Sequence, residues 1–181
     1  MTNYPAESII LVPSVRLTAD EYVAVNYRLW RRQPRTYFNH WLLAAAVLLL
    51  ATSVATDVAR TGGISNWSSA AFLGMAVVYA LVRMQLVRYQ LRRGYAKNVA
   101  VHAPIDFAFD ADGLRGTSEA GRFEGRWRTV RRAVLVRPHW LLLYPVESAC
   151  YYVDLRQVQA PGTAAEVLAL LREQGIPLRE I

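Results

Sequence analysis

The sequence predicts a membrane protein of the α+β class, in which a two-helix transmembrane hairpin carries a cytoplasmic antiparallel β domain closed by a C-terminal helix. Three observations predict it. Two blocks free of acidic and basic residues, save one histidine, follow each other across a short break. Arginines crowd the outer ends of those blocks. Downstream, the hydrophobic period changes from 3.6 to 2, and then returns to 3.6 for one last segment.

The first element is an apolar run from Ile9 to Leu17, expected to join the sheet because it ends where a helix begins. That helix opens on Thr18-Ala19-Asp20-Glu21, the spacing of a capping box, and carries Tyr22, Val23, Leu29 and Trp30. Pro34 ends or kinks it, since proline lacks the N–H that the next turn needs. The stretch ahead of it, with Pro5, Glu7 and Pro13 around a short apolar run, has neither the basic region nor the cleavage site of a signal peptide.

From Thr36 to Thr56 the only acidic or basic residue is His40, at headgroup level, and Trp41–Ala55 is almost all Leu, Ala and Val. Thr61–Val82 carries no charge, with its apolar core between Trp67 and Val82. A bilayer core takes roughly 20 helical residues, so spans are expected at about 37–57 and 64–83. The link holds Asp57, Arg60 and the breaker pair Gly62-Gly63, short enough to make the spans antiparallel neighbours. Small residues Ser53, Ser68, Ser69 and Gly74 offer positions for close approach. A chain of this length has too little protein to bury both blocks in a soluble core. Beyond the second span Met84, Val87, Leu91 and Tyr95 recur at helical spacing, so that this extension is expected to pack against the helix of Tyr22–Trp30. The other arrangement lays the basic aromatic segment flat on lipid.

Charge fixes the orientation. The chain carries a formal +7, with a pI near 9.9 and a mean hydropathy of +0.13. Arg28, Arg31, Arg32 and Arg35 precede the first block; Arg83, Arg88, Arg92, Arg93 and Lys97 follow the second, and neither stretch contains an acid. Without these nine cations the remainder is at −2, which turns a basic chain that suggests nucleic acid into one with basic membrane flanks. Against them the connecting loop has only Arg60. Both termini are therefore expected in the cytoplasm of a bacterial inner membrane. Tyr37, Trp41 and Trp67 sit where amphipathic rings favour the interface.

The β domain is read from about Ala100. Ile105, Phe107 and Phe109 alternate with Asp106, Ala108 and Asp110 as a half-buried strand, and Asp110-Ala111-Asp112-Gly113 is turn chemistry with a glycine able to take positive φ. Leu114–Ser118 is a strand and Glu119-Ala120-Gly121 a turn. Phe123 and Trp127 put bulk on one face, with Arg122, Glu124, Arg126 and Arg128 toward water. Further strands are expected over Arg132–Arg137, Trp140–Tyr144 and Cys150–Leu155, with a turn at Pro138-His139. A second capping-box spacing, Thr163-Ala164-Ala165-Glu166, opens a helix that buries Ala164, Val167, Leu168 and Leu171 and stops at Gly175 and Pro177. Short curved antiparallel strands closed by one helix outline a pleckstrin-homology-like domain. The expected segments are thus 1–35, 36–99 and 100–181.

No catalytic constellation emerges. His40, His102 and His139 are far apart, with no cysteine or histidine at ligand spacing. After Asp110 and Asp112, Leu114 and Gly116 stand where a calcium loop needs oxygen. Gly113, Gly116, Gly121 and Gly125 lead to no Lys-Ser/Thr pair, and Ser118 and Ser148 have no elbow motif. Cys150, the single cysteine, excludes an internal disulfide and reads as a small core residue. No acid or base lies at a span midplane, which argues against a proton or ion path. No cofactor and no metal are expected, and no catalysis.

Residues Val15-Arg16-Leu17-Thr18-Ala19-Asp20-Glu21-Tyr22 before a two-span hairpin, then Phe107-Ala108-Phe109-Asp110-Ala111-Asp112-Gly113-Leu114 with Thr117-Ser118, then Trp127, Val130, Val134 and Leu143-Tyr144, resemble the YcxB-like family of bacterial membrane proteins. The resemblance covers nearly the whole chain and implies a membrane-tethered domain of pleckstrin-homology type, with no established activity. It departs at Tyr152-Val153-Asp154-Leu155-Arg156, where the family's last strand often carries a basic pair.

The functional expectation is a membrane-tethered binding or adaptor module that engages a protein partner or a lipid headgroup and does not bind nucleic acid. Arg126, Arg128, Arg131 and Arg132 are its candidate interaction edge, and a homo-oligomer is compatible with it. The alternative is an immunity-type protein that protects against a membrane-acting toxin; a third class, enzyme or transporter, lacks the residues it would need.

Overall fold

The structure is a computed structural model that describes residues 9–98, 101–119, 121–147 and 149–181. Pro5, Glu7, Ala120, Ser148 and the boundary at Ala100 lie outside the described residues. The chain is helix plus mainly antiparallel sheet, in two compact units. One joins Met1–Val25 to Tyr95–Ile181, and the other is Asn26–Gly94. This division differs from three consecutive segments, because the N-terminal strand belongs to the β-rich unit and the hairpin is inserted within it.

The β-rich unit starts with β1 (Ile10–Val15) and resumes with β2 (Ile105–Phe109), β3 (Gly113–Ser118) and β4 (Gly121–Arg126), an antiparallel sheet in that order. Ile10 lies opposite Phe109 and Val12 opposite Phe107, and the register shifts between Val12 and Val15. At that bulge Ser14 takes φ 52°, and its N–H donates to Asp106 Oδ1 at 2.7 Å. A second sheet has the order β7 (Ala149–Asp154), β6 (Trp140–Val146), β5 (Arg132–Val136) and β8 (Leu178–Glu180), with β8 parallel to β5 and the rest antiparallel. Sequence reading missed β8. Its three residues are too few for an alternation, and Gly175 and Pro177 before it read as a stop.

Trp140 to Tyr144 are all buried, so β6 is covered on both faces, as an unbroken apolar run implies. Helix α4 (Ala164–Glu173) buries Val167 and Leu171 completely. Its capping box is formed: Thr163 Oγ1 accepts from the Glu166 N–H at 3.2 Å, and Glu166 Oε2 accepts from the Thr163 N–H at 3.0 Å.

The aromatic packing corrects one expectation. Trp127 lies in a 3-10 turn after β4, not on a strand face with Phe123; it is buried against Phe109, and its indole N–H donates to the Asp110 carbonyl at 2.8 Å. Phe123 stacks on Tyr151 of the second sheet, with centroids 4.4 Å apart and planes within 5°. Gly116 faces Phe123 across the ladder, and a Cβ there would run into the ring. Gly113 is likewise required by close approach to the Gly125 carbonyl and has no positive φ.

Helix α1 (Ala19–Arg32) opens in this unit with its own capping box. Thr18 N–H donates to Glu21 Oε2 at 3.1 Å and the Glu21 N–H to Thr18 Oγ1 at 3.3 Å. Arg156 joins the same carboxyl at 2.9 Å while held by Asp154 at 2.7 Å. Partial burial works against the charged form of Glu21, but the bonds from Thr18 and Arg156 hold its pKa below the ordinary value.

The helical unit contains the rest of α1, helix α2 (Pro34–Thr61) and α3 (Trp67–Lys97) up to Gly94. Pro34 is tolerated because it occupies the first turn of α2. Gly62, at φ 76°, ends that helix with its N–H on the Val58 carbonyl. Asp57 pins the link by accepting from the N–H groups of Ser65 (2.7 Å) and Asn66 (2.9 Å), and Asn66 Oδ1 accepts from the Ser69 N–H at 3.3 Å to cap α3. Helix α2 passes the expected span at both ends, whereas α3 starts at Trp67, three residues inside its expected limit, and runs on as the expected extension.

Two predictions follow from this packing. Gly116→Ala should destabilise the fold by about 1–3 kcal/mol through overpacking, and adding Phe123→Leu should recover part of the loss in chemical denaturation. Because the Glu21 carboxyl is depressed in the fold, its stabilisation is complete above the ordinary value of 4.5 and fades as pH drops through the depressed one. Glu21→Gln should therefore flatten the acid limb of the stability profile and lower the plateau at neutral pH.

Candidate functional site

The helical unit exposes what a soluble unit would hide. On α2, Leu43, Val47, Leu50, Val54 and Asp57 are half-buried; on α3, Ala70, Leu73, Ala76, Ala80, Arg83, Val87 and Leu91 are. These three- and four-residue spacings form one shielded stripe per helix. Of the four small residues, Ser53, Ser68 and Gly74 lie outside the stripes while Ser69 is half-buried at the start of the one on α3, and Arg83 takes the place expected of the exposed Met84. Trp41, Leu42, Leu48, Leu49, Phe72, Met75, Val78 and Leu81 are bare, and neither helix's most apolar stretch is buried. Eight large apolar side chains left in water forgo about 1.5–3 kcal/mol each, together as much as a whole domain's stability of about 5–15 kcal/mol. The two helices are long and apolar enough, by length and composition, to cross a membrane.

The nine flanking cations gather at the outer ends of the helices. Arg28, Arg31 and Arg32 are on α1, Arg35 in the first turn of α2, and Arg83, Arg88, Arg92, Arg93 and Lys97 in the last half of α3. Within the helical unit two of them meet aromatic faces. The Arg83 guanidinium carbon lies 5.5 Å from the Trp30 ring centre and that of Arg88 5.1 Å from Tyr27. Tyr27 and Trp30 stack at 5.6 Å, and the His40 ring meets Trp30 edge-on at 5.8 Å. This is how α1 and the extension of α3 pack, as expected, but through cations on rings rather than through an apolar stripe alone. Tyr27, buried with no partner for its hydroxyl, escaped sequence reading; its three-residue spacing from Trp30 was the available signal.

The candidate edge on the β-rich unit differs from three other arginines of that unit. Arg115 is bound by Asp110 at 2.7 Å, Arg137 by Glu180 at 2.6 Å, and Arg156 by Asp154 and Glu21. Arg126, Arg128, Arg131 and Arg132 are exposed around the β4–β5 connection, and none forms an ion pair among the described residues. Arg132 lies 4.4 Å from the Tyr144 ring centre, and the Arg131 N–H donates to the Tyr144 carbonyl at 2.8 Å. The four are thus brought onto one connection and left without carboxylates.

The remaining polar groups are structural. Asp110 Oδ1 accepts from the Asp112 and Gly113 N–H groups at 3.0 and 2.8 Å, an Asx turn, and its other oxygen holds Arg115. No group of three or more metal-ligating side chains occurs among the described residues. Cys150 is half-buried; burial pushes its thiol pKa up, although Tyr152, Tyr144 and Arg132 favour the thiolate. Burial, and the Cys150 beside it, push Tyr144 up to about 12. Neither group is poised to attack at neutral pH. No family model, curated protein or solved structure matches the chain.

A raised thiol pKa carries an expected outcome. At pH 7.5 iodoacetamide should label Cys150 more slowly in the folded protein than in the denatured chain, as read by mass spectrometry.

Proposed function

We propose that this protein is a membrane-tethered binding module with no catalytic activity, in which α2 and α3 span the bacterial inner membrane and hold a pleckstrin-homology-like domain at its cytoplasmic face. One observation carries the reading. β1 precedes the apolar hairpin and β2 follows it, yet the two are hydrogen-bonded neighbours in one sheet. Strands that pair must lie on the same side of a bilayer, so two spans, and not one, fit the chain. The arginine-rich ends favour the cytoplasm for that side. Two sheets and a closing helix support the pleckstrin-homology-like reading, and the resemblance to the YcxB-like family agrees with it.

The binding surface in this reading is the edge of Arg126, Arg128, Arg131 and Arg132, four guanidinium groups with their donors unspent on carboxylates. Their charge suits an acidic segment of a partner protein. Their planar forks suit its carboxylates.

The test has two parts. A reporter fused after Ile181 should be active only in the cytoplasm, and the chain should resist extraction from membranes by high salt or alkaline carbonate. Crosslinking from detergent extracts should then recover a specific acidic partner, lost in Arg128→Glu/Arg131→Glu at unchanged thermal stability. Release of the chain without detergent overturns the tether, and partner recovery indifferent to the charge reversal overturns the binding edge.

A further inference from the structure

The edge just described is on the β-rich unit. A second set of cations, in the helical unit, has a different environment. Arg83 is the first charged residue after the apolar run of α3, immediately behind Val82. Its guanidinium is held over Trp30 and that of Arg88 over Tyr27, and neither meets a carboxylate or another hydrogen-bond acceptor among the described residues. A ring face orients a guanidinium without using its five N–H donors. The two positions are five residues apart on one helix, about 7.5 Å along its axis. Within the helical unit Asp57, at the opposite end of α2, is the single acid.

Beside Arg83, the outer face of α3 forms an open apolar groove of about 590 Å³ lined by Ala71, Gly74, Met75, Val78, Tyr79 and Val82. The face is open and shallow, and a Cβ added at Gly74 would meet nothing within 4 Å. An open apolar helix face with two ring-held cations just past its end matches one kind of ligand: an acyl chain with a negatively charged phosphodiester.

We propose that Arg83 and Arg88, positioned by Trp30 and Tyr27, form a binding site for the phosphodiester headgroup of an anionic phospholipid of the cytoplasmic leaflet, with an acyl chain along the Gly74 groove. This rests on the reading of α2 and α3 as membrane spans. Its role is to fix the depth and rotation of α3 in the bilayer and to make attachment sensitive to lipid charge. The shared chemistry is a phosphate, and the two sources, lipid and solution, are separable by experiment.

The full chain in neutral detergent is titrated with dioctanoyl phosphatidylglycerol, dioctanoyl phosphatidylcholine and inorganic phosphate, and affinity is read by microscale thermophoresis. At about fivefold per arginine near a charged lipid surface, phosphatidylglycerol should bind about 30-fold more tightly than phosphatidylcholine. The preference should collapse to about twofold in Arg83→Gln/Arg88→Gln and persist in Arg60→Gln, at the far end of the hairpin. If the double variant does not fold, Arg83→Lys and Arg88→Lys replace it. These keep the charge and lose the fork, and full preference in both overturns the guanidinium site. Equal affinity for the two lipids, or a preference that survives in the double variant, overturns the proposal, as does inorganic phosphate binding as tightly as phosphatidylglycerol. A chain that needs detergent yet has no headgroup preference fails this inference alone. One that stays in solution without detergent fails the reading beneath it.

Discussion

The pairing of β1 with β2 is the constraint on which the rest of the structure depends. Ser14 and Asp106, bonded at 2.7 Å, are 92 residues apart in sequence. The described residues between these two strands are mostly helix, so the sheet can exist only if the helical segment returns the chain to where it left. Closing a loop of that length costs little more than closing one half as long, about 0.6 kcal/mol per doubling if the loop is flexible. A helical hairpin brings its own ends together. Asp57 and Gly62 turn the chain at one end of that hairpin, so the fold of the β-rich unit depends on a few polar contacts in a short link.

Nine of the arginines fall into three populations. Arg115, Arg137 and Arg156 are spent on carboxylates and belong to the architecture. Arg83 and Arg88 rest on aromatic rings, which hold a cation in place without neutralising it. Arg126, Arg128, Arg131 and Arg132 are exposed and carry their charge outward, Arg132 beside a ring as well. Formal net charge does not distinguish these groups. The identity of the nearest acceptor does.

Much of the fold was legible because local chemistry determined it. Both capping boxes were visible as spacings and are formed with both bonds, and the apolar blocks announced helices whose most apolar stretches are not buried among the described residues. The alternation at Ile105–Phe109 gave a strand, and Asp110–Gly113 gave a turn. What escaped depended on partners distant in sequence. Gly116 looked like any turn-forming glycine until Phe123 was placed over it, and Trp127 looked like a strand residue until its indole found the Asp110 carbonyl. The candidate edge was legible as four arginines close in sequence, but its want of carboxylates was not. The ring-held pair needed α1 and α3 side by side, which no window along the chain contains.

Under the proposed topology, the insertion of the hairpin has a consequence for biogenesis. β1 leaves the ribosome before either span exists, and its partner emerges only after both. A chain that threads one span and fails on the other puts the two strands on opposite faces of the bilayer, where Ile10 can never meet Phe109. The domain therefore acts as its own inspector: it assembles only on molecules whose insertion is complete, and a mis-threaded copy is left with an open sheet edge that surveillance proteases can recognise.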